Sequence, residues 1–201
     1  MSEVIDAVSF EHENDVIRTL VQELELHDPG ERGHSERVAV YSTAVGDRLG
    51  MSFEDLLSLR RAAALHDVGK ISVNPVTLRK IGELDESEIQ ELRSHALLAM
   101  DYVGSFEWLR PAIPMIRHHH EWWDGTGYPD GLAGDAIPLG ARIISACEAF
   151  DVLVSGSPWR KALAESDAVA ELRRCSGTQF DPAVVAAFEE IQPLIQPAKL
   201  R

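Results

Sequence analysis

An all-α fold is predicted by three features of the sequence. Apolar residues recur at helical spacing, capping residues and Gly or Pro breaks divide the chain into helix-length pieces, and strand-like alternation is scarce. With 201 residues and neither internal repeats nor low-complexity tracts, the chain fits one domain with a substantial core.

The first predicted helix covers 15–26, where Ile17, Leu20, Val21 and Leu24 form a stripe that Asp28-Pro29-Gly30 ends. Residues 1–27 read as a helical extension packed on a core built from 28–201. From 34 to 49, Val38, Tyr41, Val45 and Leu49 continue a stripe on which His34 lies, so His34 should point inward, and Gly50 suits the C-terminal cap. Ser52 opens an N-cap resembling a capping box, and a Leu- and Ala-rich helix should run to His66 and Asp67. Asp85 and Glu88 start another helix whose stripe of Ile89, Leu92, Ala96, Ala99 and Val103 carries His95 beside it. Pro111 is expected to open a helix ending at 118–121. The polar turn 124–129 follows, then a helix from about 138 to 154, and two shorter ones starting near Ser166 and Asp181-Pro182.

Nineteen Lys and Arg against thirty-three Asp and Glu leave a formal charge of −14, which argues against a surface for bulk nucleic acid. A small phosphorylated ligand is not excluded, because bound divalent metals reverse the local field. The two cysteines, Cys147 and Cys175, form no CxxC pair or disulfide framework, and nothing reads as a signal peptide or membrane span, so a reducing cytoplasm is the expected compartment.

Five histidines, His34, His66, His95, His119 and His120, fall at helix ends or on inward faces of separate segments, with Asp67 beside His66. A lone histidine at a helix end is more often a cap, but an ordinary core does not need five. Imidazole and carboxylate donors together suit manganese, iron, nickel or zinc, and the lack of a cysteine cluster argues against a zinc finger. His118 is left as a neighbour, since three consecutive histidines on one helix cannot all face one way. Glu121 and Asp124 are read as structural, bonding backbone in a tight turn. Trp122 and Trp123 read as packing residues.

The segments His66-Asp67-Val68-Gly69-Lys70 and His119-His120-Glu121-Trp122-Trp123-Asp124-Gly125-Thr126-Gly127-Tyr128-Pro129 resemble the two signatures of the HD-GYP branch of the HD phosphohydrolases. His34-Ser35-Glu36-Arg37-Val38 is similar to that family's opening motif, and the resemblance extends from about Asp28 to Phe188. It implies an HD-type helical bundle with a buried multi-metal site, usually iron or manganese, that hydrolyses cyclic di-GMP to pGpG or GMP. Carried over by position, the implied metal ligands are His34, His66, Asp67, His95, His119, His120 and Glu148, with Asp67 bridging. Lys70 is the implied catalytic cation, and Tyr128, Asp151 and Arg160 the implied substrate contacts. Gly125 and Gly127 would give the loop the backbone freedom that brings Tyr128 to the nucleotide. In such a centre the metals clamp phosphate oxygens and activate water.

Three positions depart from the family pattern. Glu148 stands where the family has aspartate, Ser157 where it has a substrate-contacting arginine, and Gly30 where three-metal members have glutamate, with Glu31 one residue closer to His34. Two metals are therefore expected. A misplacement of about 1 Å can cost on the order of a hundredfold in rate, so Glu148 bears more on turnover than on metal binding. The competing expectation is a catalytically weakened signalling or protein-interaction module; another phosphate ester as substrate ranks third. A homodimer or a separate regulatory protein is the expected macromolecular partner.

Overall fold

The computed structural model describes residues 2–156 and 161–195. Among the described residues ten α-helices run in order: α1 (Ser2–His27), α2 (His34–Arg48), α3 (Phe53–Leu65), α4 (Pro75–Leu78), α5 (Glu86–Arg93), α6 (His95–Val103), α7 (Ile113–Arg117), α8 (Leu139–Ser155), α9 (Glu165–Arg174) and α10 (Pro182–Ile191). Short 3₁₀ turns join several of them, and no strand forms among the described residues. The all-α class predicted from the sequence is the observed one.

Helix α8 is the axis of the bundle. Ten of its residues are buried, including Ile143, Ile144, Cys147, Phe150 and Asp151, as expected for a helix enclosed on most sides. α2 packs against both α3 and α8, and α10 closes the far end. There Phe150 lies edge-on to Tyr41 at 5.4 Å and 4.8 Å from Phe188. Ile17, Leu20 and Val21 of α1 pack against this core, and Leu24 is buried.

Helix boundaries differ from the sequence reading where side chains rewrite the backbone pattern. The helix expected through His95 breaks at Ser94, whose hydroxyl donates to the Glu91 carbonyl at 2.6 Å and competes with the helical ladder. α7 begins at Ile113, because Pro114 suits the first turn, and ends at Arg117. His118, His119 and His120 therefore lie in a turn and can face different ways. α4 was not anticipated, although Asn74 caps it and Pro75 opens it.

Candidate metal centre

Three of the candidate ligands are placed by one local device. His66, His95 and His119 each sit at or just past a helix C-terminus, where backbone carbonyls lack intrahelical partners. Each ring turns Nδ1 back to the carbonyl three residues earlier: Ala63 at 2.8 Å, Leu92 at 2.6 Å and Ile116 at 2.6 Å. A carbonyl only accepts, so Nδ1 carries a proton in each ring and Nε2 is the nitrogen left for a metal.

These nitrogens converge on Asp67. Its Oδ2 lies 3.2 Å from His66 Nε2 and 3.8 Å from His34 Nε2, and its Oδ1 lies 3.2 Å from His95 Nε2. His95 Nε2 is also 3.4 Å from His119 Nε2 and 3.2 Å from His120 Nε2. Two ligand groups result, His34, His66, Asp67 and Glu148 on one side and Asp67, His95, His119 and His120 on the other, each with donor atoms within 4.8 Å of one another. Asp67 belongs to both.

Divalent cations fit this arrangement. His66 Nε2 and Asp67 Oδ1 are buried without a hydrogen-bond partner. Such orphaned atoms are costly, and opposed imidazole lone pairs repel unless a cation lies between them. The all-nitrogen and oxygen donor set suits a divalent first-row metal, and the Nδ1 bonds are the outer support that ligating histidines ordinarily have.

The electrostatics separate the ligands: at His66 burial opposes the charge, but Asp67 outweighs it and pushes the pKa up to about 9, a proton on Nε2 that a bound metal would displace. Burial and the neighbouring histidines hold His119 and His120 well below the usual imidazole pKa, so both are neutral as ligation requires. Burial disfavours a charge on Asp67, but His66 and Lys70 outweigh it and keep the carboxylate ionised. Burial, then the charge of Asp67, pushes Glu148 upward. Burial likewise opposes the charge on Lys70, and Asp67 and Glu31 reverse it, so the ammonium persists. Lys70 Nζ donates to Asp67 Oδ2 at 2.7 Å and to Glu31 Oε1 at 2.9 Å. The reach across three residues comes from the 3₁₀ turn Val68–Ser72, closed by Lys70 N–H donating to the Asp67 carbonyl at 2.9 Å. Glu31 lies in neither ligand group.

Asp151 lines the cleft, but its carboxylate is engaged within the protein. It is 1% exposed, and its Oδ2 accepts from His34 Nδ1 at 2.8 Å while Arg37 bonds both oxygens at 2.6 and 2.9 Å. Its lone pairs face the protein, leaving it behind His34 as a carboxylate–histidine pair. Asp151→Asn should therefore weaken metal affinity by about 10- to 100-fold, measured by manganese titration, because His34 loses the partner that sets its tautomer. An unchanged affinity would remove this role. Arg37, unassigned from sequence, was detectable as the residue one turn after His34.

The glycine-rich loop is pinned from inside. Glu121 is 2% exposed and accepts the N–H groups of Asp130 at 2.7 Å and Leu132 at 3.1 Å, while Asp124 accepts from Thr126 N at 3.0 Å. Both bond loop backbone, the arrangement a structural role requires. Gly125 has φ +84°, whereas Gly127 is needed for space: a Cβ there would overlap Trp122 N and the His120 carbonyl. Tyr128 is thereby stacked on His120 at 4.8 Å, next to the ligand rings. Burial, then Glu148 and Asp67, raises its pKa, so it stays a phenol. His118 instead turns to the Pro114 carbonyl at 2.8 Å and to Asp130 at 2.9 Å, outside both ligand groups. Arg160 and Ser157 lie outside the described residues.

A cleft of about 680 Å³ opens on this centre, lined by His34, Lys70, Glu148, Asp151, Lys80 and Ile81 among others. A second groove of about 670 Å³ between α1, α2 and α3 contains none of the ligands. The family model described as HD domain matches residues 18–184, a span that contains the whole cluster. The chain belongs to the HD domain family. Its two signature segments are those of the HD-GYP branch. HD domains bind divalent metals, in keeping with the ligand groups described above.

Among relatives, the cyclic di-GMP phosphodiesterase response regulator RpfG of Xanthomonas campestris is 35% identical over 180 residues, covering 89% of this chain and 48% of that protein. The 3′3′-cGAMP-specific phosphodiesterase 3 of Vibrio cholerae is 38% identical over 172 residues, covering 86% and 37%. This chain thus spans half or less of the length of these relatives. Solved structures share the fold. A cyclic GMP-AMP-specific phosphodiesterase of V. cholerae, V-cGAP3, has a TM-score of 0.71 at 21% identity, covering 88% of this chain and 48% of that one. The HD domain of the Listeria monocytogenes phosphodiesterase PgpH, in complex with cyclic-di-AMP, has 0.64 at 17%, covering 91% and 99%. No described helix of this HD domain is long and apolar enough to cross a membrane.

Proposed function

We propose that this HD domain is a metal-dependent phosphodiesterase that holds two divalent ions, iron or manganese, and linearises a cyclic dinucleotide, cyclic di-GMP foremost, to pGpG or GMP. The observation that carries this reading is the pair of buried ligand groups sharing one carboxylate, Asp67. The names of the relatives support the substrate class.

When bound, two such ions supply Lewis acidity to phosphodiester oxygens and lower the pKa of a water held between them. The chain's own residues do the rest. Asp67 divides its two oxygens between the two histidine sets, with Lys70 fixing the outer one at 2.7 Å. The Lys70 ammonium is a preorganised positive charge at the edge of the centre, suited to charge developing on phosphoryl oxygens. Tyr128 offers a phenolic donor and a ring face to the nucleotide. Asp151 orients His34 and does not contact substrate in this reading.

Anaerobic reconstitution with manganese or iron, followed by chromatography of cyclic di-GMP and 3′3′-cGAMP incubations, tests it. The wild type should yield linear product, and His66→Ala should lose turnover by on the order of a thousandfold or more. Glu148→Asp, which restores the carboxylate length of the family pattern, should keep its metal and raise the rate, by up to about a hundredfold. Binding of cyclic dinucleotide without product at any metal loading overturns the enzyme reading in favour of a signalling module.

A further inference from the structure

Resting on the cyclic dinucleotide reading above, we infer that Arg93 is a specificity residue that binds the second, non-reacting phosphodiester of the substrate. Its guanidinium lies 5.2 Å from the centre of the Tyr128 ring, and the same ring stacks on His120 at 4.8 Å with an interplanar angle of 26°. Arg93, Tyr128 and His120 thus form a continuous run from solvent to the ligand cluster. The base of the side chain is fixed, because Arg93 ends α5 two residues before the ligand His95, whose ring is tied to the Leu92 carbonyl.

Four other cations around the centre are held by carboxylates, and Arg79, on the cleft wall, donates to the His27 carbonyl. Lys70 is held by Asp67 and Glu31, Arg37 by Asp151, Lys80 by Glu88 at 2.5 Å, and Arg117 by Asp130. Arg93 is exposed and makes no ion pair with a carboxylate of the described residues. A guanidinium resting on an aromatic face keeps its N–H edge free, and that edge matches two phosphate oxygens in a way that lysine cannot. A cyclic dinucleotide carries two phosphodiesters, and only the reacting one can occupy the Asp67 centre. In a chain with net charge −14 the other needs a dedicated cation, and among the described residues Arg93 is the cation that rests on the nucleotide-facing tyrosine with no carboxylate partner.

The test compares wild type, Arg93→Ala and Arg93→Lys after manganese reconstitution on three substrates: cyclic di-GMP, its analogue with one linkage replaced by a neutral methylphosphonate, and bis(p-nitrophenyl) phosphate. Arg93→Ala should lower kcat/KM for cyclic di-GMP by about tenfold or more, chiefly through KM, with Arg93→Lys between it and wild type. On the small diester, which has no second phosphate, the loss should stay under about threefold. On the methylphosphonate analogue the substitution should cost little, because the contact is already gone. Equal losses on cyclic di-GMP and the analogue would show that Arg93 only braces Tyr128, and a KM for cyclic di-GMP unchanged by Arg93→Ala would likewise overturn the inference. Wild type that cleaves the small diester but neither cyclic dinucleotide overturns the substrate reading itself, and the role of Arg93 with it.

Discussion

Asp67→Asn is expected to strip the centre of metal and to lower turnover by on the order of a thousandfold or more, with the helical fold retained. The asparagine keeps the shape, loses the charge and presents one oxygen where two are needed, so it cannot serve both histidine sets. Lys70, which Asp67 now engages at 2.7 Å, would keep Glu31 at 2.9 Å as its counter-charge, so no isolated buried cation remains. Metal content by mass spectrometry, product chromatography and circular dichroism on one preparation read the three consequences together. A variant still holding two metals per chain would show that Asp67 is not the shared ligand.

Gly69→Ala is expected to be the most damaging change outside the ligands. The 3₁₀ turn carrying Lys70 presses its backbone against the start of α6, and a Cβ on Gly69 would overlap the His95 carbonyl oxygen and the Ala99 nitrogen. Both obstacles are backbone, so no rotamer relieves them. A destabilisation of roughly 3 kcal/mol or more should follow, lowering the midpoint in differential scanning calorimetry by roughly 6–12 °C. Metal affinity should fall with it, because relief of the clash moves His95 and Lys70 together. A midpoint within about 2 °C of wild type would mean that the turn and α6 are less closely packed than described.

The sequence was most informative where function and secondary structure use the same residue. Histidines at helix ends read both as caps and as ligands, and His66, His95 and His119 have the geometry of both: Nδ1 caps a carbonyl while Nε2 faces the candidate ligand cluster. The helix order and the inward face of His34 followed from apolar periodicity and turn residues alone. The convergence of the ligands into two groups sharing Asp67 did not, because spacing along a chain carries no information on which helix ends meet. The partners of Asp151 were hidden for a related reason. The resemblance implied a substrate contact for it, and only the three-dimensional approach of His34 and Arg37 shows that its oxygens are already taken. Arg93 was invisible as a site residue, since its neighbour Tyr128 is remote in sequence.

The proposal of two ions sharing Asp67 is tested most directly by anomalous scattering from crystals of the manganese-loaded protein. Two difference peaks on either side of Asp67 are expected, one contacted by His34, His66 and Glu148 and the other by His95, His119 and His120. A single peak, or density at His118, Glu121 and Asp130 with none at Asp67, would contradict it.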